Sequence, residues 1–404
     1  MTKFFITYLL SFHFINTLLA QAGCTDPFAS NYNPNATSND GSCVYPATSA
    51  SAVFKANLPG VAETSGLVWS AGSLWTHEDS GGPATIYQLD TATGAVVKSI
   101  IVDNFPNVDW EDITADDSMI YVAETGNNNG NRTDLKILKI KKADIGSGAT
   151  VHVNAAAINF SYADQTDFTP STTTNFDCEA ITVVHDSIYL FTKNWGDLNT
   201  RLYVLPKNAG TYSVAPRTSH NVGCLVTGAT YSAAKKEITL IGYNTTIPPV
   251  SSLWILNDYQ PGGQVFSGNK RKITLTYSSI WQTEGIAYVT DNDYFISTEA
   301  ISQLSLPAKL FRLSKSWLPT TSVKELMPGS YSSYPNPVLD KLVIKGIDKG
   351  MKYVITDMSG KVLTEGTATQ EDYEINTSGF AAGTYVLELF RQGKKLNSSK
   401  FVKH

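Results

Sequence analysis

The sequence predicts an all-β protein: a β-propeller over residues 50–328, with five blades and six as the alternative, followed by a small immunoglobulin-like β-sandwich over residues 329–404. Three observations carry this reading. One strand pattern recurs five times in the same order, as in radial repeat architectures. Each copy opens on small residues and continues into an aromatic-rich second strand, the pattern of four-stranded blades around a channel. The last stretch of chain changes to plain apolar alternation broken by Gly, Asn and Asp turns, which suits an antiparallel sandwich.

The copies begin at residues 65–68, 111–114, 179–182, 227–230 and 284–287, spaced 46, 68, 48 and 57 residues apart. Second strands follow at 73–75, 119–122, 187–190, 237–240 and 293–296. Third strands lie at 86–89, 135–138, 202–205, 253–256 and 310–313. Fourth strands are legible at 96–100, 158–162 and 272–275, and the fifth copy has no clear fourth strand of its own. Residues 52–56, which precede the first copy, supply one and close the ring. Gly and Ala in the first strands fit the crowding of innermost strands at the channel.

Composition narrows the function classes. Charged residues are 17% of 404, and 31 Lys and Arg against 36 Asp and Glu give a net charge of −5. With no clustered basic face, nucleic acid is excluded as an expected partner, because phosphate contacts need grouped Lys and Arg. Lys3, the apolar run 4–19 and Ala20-Gln21-Ala22 form a secretory signal peptide, residues 1–22, and no later run is long enough for a membrane span. All four cysteines therefore reach an oxidising compartment, where an even count reads as disulfides. Cys24 and Cys43 staple a short N-terminal module, residues 23–46, that has no hydrophobic run to fold around. Cys178 and Cys224 lie just before first strands in consecutive copies, and the repeat phase predicts that they pair.

Two segments resemble known families. Gly23-Cys24-Thr25-Asp26-Pro27 through Asn31-Tyr32-Asn33-Pro34 to Asp40-Gly41-Ser42-Cys43 is similar to a Cys-stapled module of secreted Bacteroidetes proteins. Tyr334-Pro335-Asn336-Pro337, the Asp357-Met358-Ser359-Gly360-Lys361 hairpin and the Ala382-Gly383-Thr384-Tyr385 closing strand together resemble the type A C-terminal sorting domain of the type IX secretion system. That resemblance implies the type IX machinery as a partner and a secreted or outer-membrane-surface location.

The repeat phase also points to chemistry. In a propeller blade the start of the first strand and the end of the second share one face, so Glu111, Glu179 and Glu284 occupy equivalent positions around one channel mouth. Asp109, Asp112 and Asp177 flank them, and His77, Glu78, Asp79, Glu124, Lys193, Tyr243 and Glu299 come from the second-strand ends, with Trp110, Trp195 and Trp281 nearby. Converging carboxylates repel unless a cation or protons neutralise them. Calcium, which takes six to eight hard oxygen ligands, is the expected cofactor at Glu111, Glu179 and Glu284. A ligand or partner (a small molecule, glycan or protein) would then bind at the acidic mouth. Glu284-Gly285-Ile286 is similar to first-strand starts of calcium-dependent propeller esterases and lactonases, which implies the alternative of a hydrolase of esters, lactones or phosphoesters with His77 or Glu179 as base. A surface propeller with no mouth ligand is the third reading.

Overall fold

The structure is a computed structural model that describes residues 21–277, 282–290, 292–315, 332–347, 349–370, 372–391 and 394–404. The core of the expected leader and Trp281 lie outside these residues. The chain forms two compact units that divide at residues 318 and 319.

The first unit contains five sheets built outward from five inner strands, Thr64–Ser70, Trp110–Ala115, Cys178–Val184, Leu225–Ser232 and Thr283–Thr290. Each inner strand packs against the next and the fifth packs against the first, which closes a five-bladed propeller. The ring is sealed where the sequence indicates: Val53–Asn57 pairs antiparallel with Lys309–Ser314 as the outer strand of blade 5. Blade 3 has the fourth strand that apolar periodicity does not reveal. Thr218–Asn221 pairs with Asn199–Pro206, and its residues Thr-Ser-His-Asn carry no apolar alternation. Three further strands also escape the periodicity. Thr150–Val153, Gly210–Val214 and Ser49–Ser51 each leave their own blade and pair parallel to the outer strand of the preceding one. They cover backbone groups that an edge strand would otherwise present to other chains.

Small residues let the blades meet at the axis. A Cβ on Gly66 would press on Asp112 and Ile113 of blade 2, one on Gly228 on the Glu284 carbonyl of blade 5, and one on Gly285 on the Ser65 carbonyl of blade 1. Blade 2 carries Asp112 at the equivalent position, and its carboxylate fills the channel. It accepts backbone N–H bonds from Ile113 (2.8 Å), Ile181 of blade 3 (2.7 Å) and Ala229 of blade 4 (3.4 Å).

Apolar side chains on the two faces of each blade build separate cores between blades, and this separation corrects one expectation. Cys178 lies in the core shared with Tyr121, Ile137 and Tyr203, whereas Cys224 lies in the next core with Phe191, Leu202 and Trp254. The two thiols face opposite sides of blade 3, and both are free and buried. Cys24 and Cys43 do form a disulfide. The module they staple docks on blade 4, where Asp258 accepts from Thr25 Oγ1 (2.9 Å) and Asn39 Nδ2 (2.8 Å), and Lys270 Nζ donates to the Gly41 carbonyl (2.9 Å).

The second unit is a β-sandwich. One sheet holds Ser332–Tyr334, Lys341–Lys345 and Tyr373–Asn376, the other Val362–Thr367, Lys352–Asp357, Gly383–Arg391 and Lys394–Lys403. Leu342, Ile344, Ile355, Leu387 and Phe401 fill the space between them. Among the described residues of either unit, no helix is long and apolar enough to cross a membrane.

Candidate metal centre at the propeller mouth

One backbone feature builds the mouth. In all five blades the pairing of inner and second strands slips by one residue at the same level. The slip falls between Thr64 and Leu67, at Glu111, at Glu179, at Thr227, and between Thr283 and Ile286. A β-bulge puts two residues opposite one, bends the strand and re-aims a side chain. The residues at the slip are Ser65, Glu111, Glu179, Thr227 and Glu284. Four of them line a cavity of about 80 Å³ together with Asp79, Asn128, Lys193, Tyr243 and Glu299 from the second-strand ends. Thr227 turns away, donating its hydroxyl to the Thr283 carbonyl (2.7 Å).

Five carboxyls thus line the cavity. Two more, Asp109 and Asp177, complete two groups whose oxygens lie within 4.8 Å of one another: Asp79, Asp109 and Glu111, and Glu111, Asp177 and Glu179. Glu111 belongs to both. Glu284 lines the cavity but falls in neither group, so the expected trio of Glu111, Glu179 and Glu284 is not the set with mutually close oxygens.

The charges are unevenly compensated. Lys193 Nζ pairs with Glu179 and lies 4.9 Å from the Trp195 ring centroid and 5.6 Å from that of Tyr243. Burial opposes the Lys193 charge, but Glu179, Tyr243 and Glu284 outweigh it and hold the ammonium above its ordinary range. Asp177 has both oxygens occupied, by the Asn127 backbone N–H (2.7 Å) and Trp195 Nε1 (2.9 Å). On the side of blades 1 and 2, no Lys or Arg of the described residues pairs with Asp79, Asp109 or Glu111. Burial raises the Asp109 carboxyl to about 7, helped by Asp79 and Asp177. Burial likewise raises Glu111 well above the usual carboxylate range, with Glu179 and Asp79 adding to it. Gly126 makes this crowding possible, because a Cβ there would overlap the Asp109 and Glu111 carboxyls.

Four expected residues serve elsewhere. The His77 ring is fully buried, stands edge-on to Trp110 at 5.7 Å and bonds the Glu78 carbonyl through Nδ1 (2.9 Å). It does not line the cavity, and burial lowers it to about 4, so it is not placed to act as a base there. Its strand alternates, and His77 falls on the side facing blade 2. Glu78 accepts from the Ala62 backbone N–H (3.1 Å). Asp112 is the channel plug. Glu124 accepts the backbone N–H groups of Val108 (3.0 Å) and Asp109 (3.1 Å) and pairs with Arg132 (2.7 Å), so it shapes the loop that carries Asp109. Ser65 also lines the cavity, as does Asn128, from a turn that the sequence allows to reach a ligand on the mouth face. Ser65 holds the same repeat position as the glutamates, a signal hidden by looking for acids alone. Asn128 sits in the Asn-rich turn 127–131.

Comparison with known proteins bears on the second unit. Residues 332–404 match the family model of the secretion system C-terminal sorting domain, so this unit is the sorting domain of the type IX system and the chain is a secreted or cell-surface protein. No curated protein sequence matches the chain. Among solved structures, the chain is similar to PorZ, a surface component of the type IX secretion system of Porphyromonas gingivalis, with 13% identity and a TM-score of 0.34. The likeness covers 84% of this chain, which spans 45% of that one. It is also similar to glutaminyl cyclase of Myxococcus xanthus, with 12% identity, a TM-score of 0.42, and 67% and 99% of the two chains covered. An exo-β-1,3-galactanase of Phanerochaete chrysosporium gives 9% identity, a TM-score of 0.42 and coverage of 91% and 98%. Likenesses at this level assign no activity.

Proposed function

We propose that this exported protein is a binding module whose propeller mouth takes a hard divalent cation, calcium by its donor set, and through it an oxygen-bearing ligand or partner. The observation that carries the reading is the excess of carboxylates on the blade 1 and 2 side: Asp79, Asp109 and Glu111 are close together, Glu111 is buried and the two Asp are half-buried, and none forms an ion pair with a Lys or Arg of the described residues. Clustered oxygens of this kind suit calcium, whereas zinc favours His and Cys ligands. Lys193 already pairs with Glu179 on the blade 3 side, which favours Asp79, Asp109 and Glu111 as the ligands of the ion. The cavity volume of about 80 Å³ corresponds to two or three waters at about 30 Å³ each. That suits an ion and its waters, with a ligand seated above them.

The test is the melting of the secreted chain in chelator and again with millimolar calcium, with magnesium as the comparison ion. A ligand that binds only the folded state stabilises it by RT ln(1 + [L]/Kd), about 2.7 kcal/mol at a hundredfold excess over Kd. A calcium-specific rise, lost in Asp109→Asn, supports the reading. Identical melting in chelator and calcium overturns it.

A further inference from the structure

A second cavity, of about 240 Å³, shares no lining residue with the mouth and lies at the seam between the disulfide module and the outer strands of blade 4. Lys270 and Lys272 stand two residues apart on one face of the strand Asn269–Thr276 and both line it. Lys270 Nζ donates to the carbonyls of Gly41 (2.9 Å) and Gly268 (2.8 Å), which leaves one of its three donors. Lys272 Nζ donates to the Val222 carbonyl (3.1 Å) and rides 5.5 Å from the Trp254 ring centroid, which leaves two. Among the described residues neither ammonium forms an ion pair. Asp40, an acid that pulls on Lys270, is exposed and accepts from its own turn at Ser42. Two cations facing one cavity with donors to spare call for an anion. The remaining walls are mixed: Pro46 and Ala47 are apolar, and Thr48 and Thr274 carry hydroxyls. At about 30 Å³ per water the volume holds roughly eight waters, the scale of one six-membered ring with its substituents.

We infer that this seam binds a single sugar-acid unit. Its carboxylate bridges Lys270 and Lys272, its ring lies against Pro46 and Ala47, and its hydroxyls meet Thr48 and Thr274. The site shares no lining residue with the mouth, and the module, the segment that follows it and blade 4 all contribute to it.

The test is a calorimetric titration of the full chain in chelator, so that the mouth stays out of the measurement, with sodium glucuronate, glucose and acetate as probes. Glucuronate binds saturably, while glucose, which lacks the charge, and acetate, which lacks the ring, bind at least tenfold more weakly. Lys272 is the better variant site, since it is an exposed residue and Lys270 also holds the module. Lys272→Gln weakens glucuronate at least tenfold with unchanged melting, and Lys272→Arg keeps it. Glu111→Gln leaves glucuronate binding unchanged. Acetate binding as tightly as glucuronate, glucuronate binding unaffected by Lys272→Gln, or no saturable glucuronate binding would each overturn the inference.

Discussion

The two ends of the propeller bury carboxylates in opposite ways. At the base, Glu237 begins the second strand of blade 4 and takes Lys315 and the hydroxyls of Tyr288 and Tyr294. The Lys315 ammonium lies 5.1 and 5.3 Å from the two tyrosine ring centroids. At the mouth, reached by the other end of the same strand through Tyr243, seven carboxyls cluster around one lining ammonium. A buried acid matched by donors is a tie between blades. Buried acids in excess are a place that must be filled by protons or by a cation, because an uncompensated buried charge is costly.

That contrast breaks first at the base. Glu237→Ala leaves Lys315 buried beside two tyrosines without its carboxylate, and removing one partner of a buried pair costs about 3–5 kcal/mol. Denaturant unfolding of the secreted chain measures it, and the loss is the same with and without calcium. Next comes Gly126→Ala, whose methyl overlaps Asp109 and Glu111. Overpacking costs about 1–3 kcal/mol, and here the calcium response disappears along with it, as melting in chelator and calcium records.

Substituting a mouth acid has the opposite sign. Glu111→Gln removes a buried acid that must take up a proton in the folded state, so it raises stability in chelator at neutral pH, while abolishing stabilisation by calcium. A loss of stability in chelator would mean that Glu111 is a tie like Glu237.

A pH dependence tests the same site without a substitution. Asp109 is raised from the ordinary carboxylate range to about 7, so between those values the folded state holds a proton that the unfolded chain has released. In chelator, the Asp109 contribution to stability is therefore greatest at acid pH and falls as pH rises to about 7. Calcium competes with those protons, so the stabilisation it gives grows over the same interval. Melting curves from pH 4 to 8, with and without calcium, diverge upward if this holds.

Much of the propeller is legible in the sequence because its signal is repetition. Small first strands and aromatic second strands recur in phase, and even the closing strand at Val53–Asn57 sits where the count requires one. The illegible strands, such as Thr218–Asn221 and the parallel additions Thr150–Val153 and Gly210–Val214, lie at blade edges, where little apolar surface is buried and no period is imposed. The repeat phase also picks out residues that converge at the mouth, because strand ends follow from blade topology. It does not resolve which way a residue faces within a blade. That hides the opposite faces of Cys178 and Cys224, the turn of His77 toward Trp110, and the role of Asp112 as channel plug. The bulge leaves no compositional mark either, yet it decides that Glu111 faces the cavity while its neighbours Trp110 and Asp112 do not.

The most direct measurement is anomalous diffraction from crystals of the chain grown with calcium. The account predicts a peak bounded by Asp79, Asp109 and Glu111, with oxygens at about 2.3–2.6 Å, and no peak at that position in Glu111→Gln crystals. A mouth without anomalous density in calcium-grown crystals, with the carboxylates arranged as here, would contradict it.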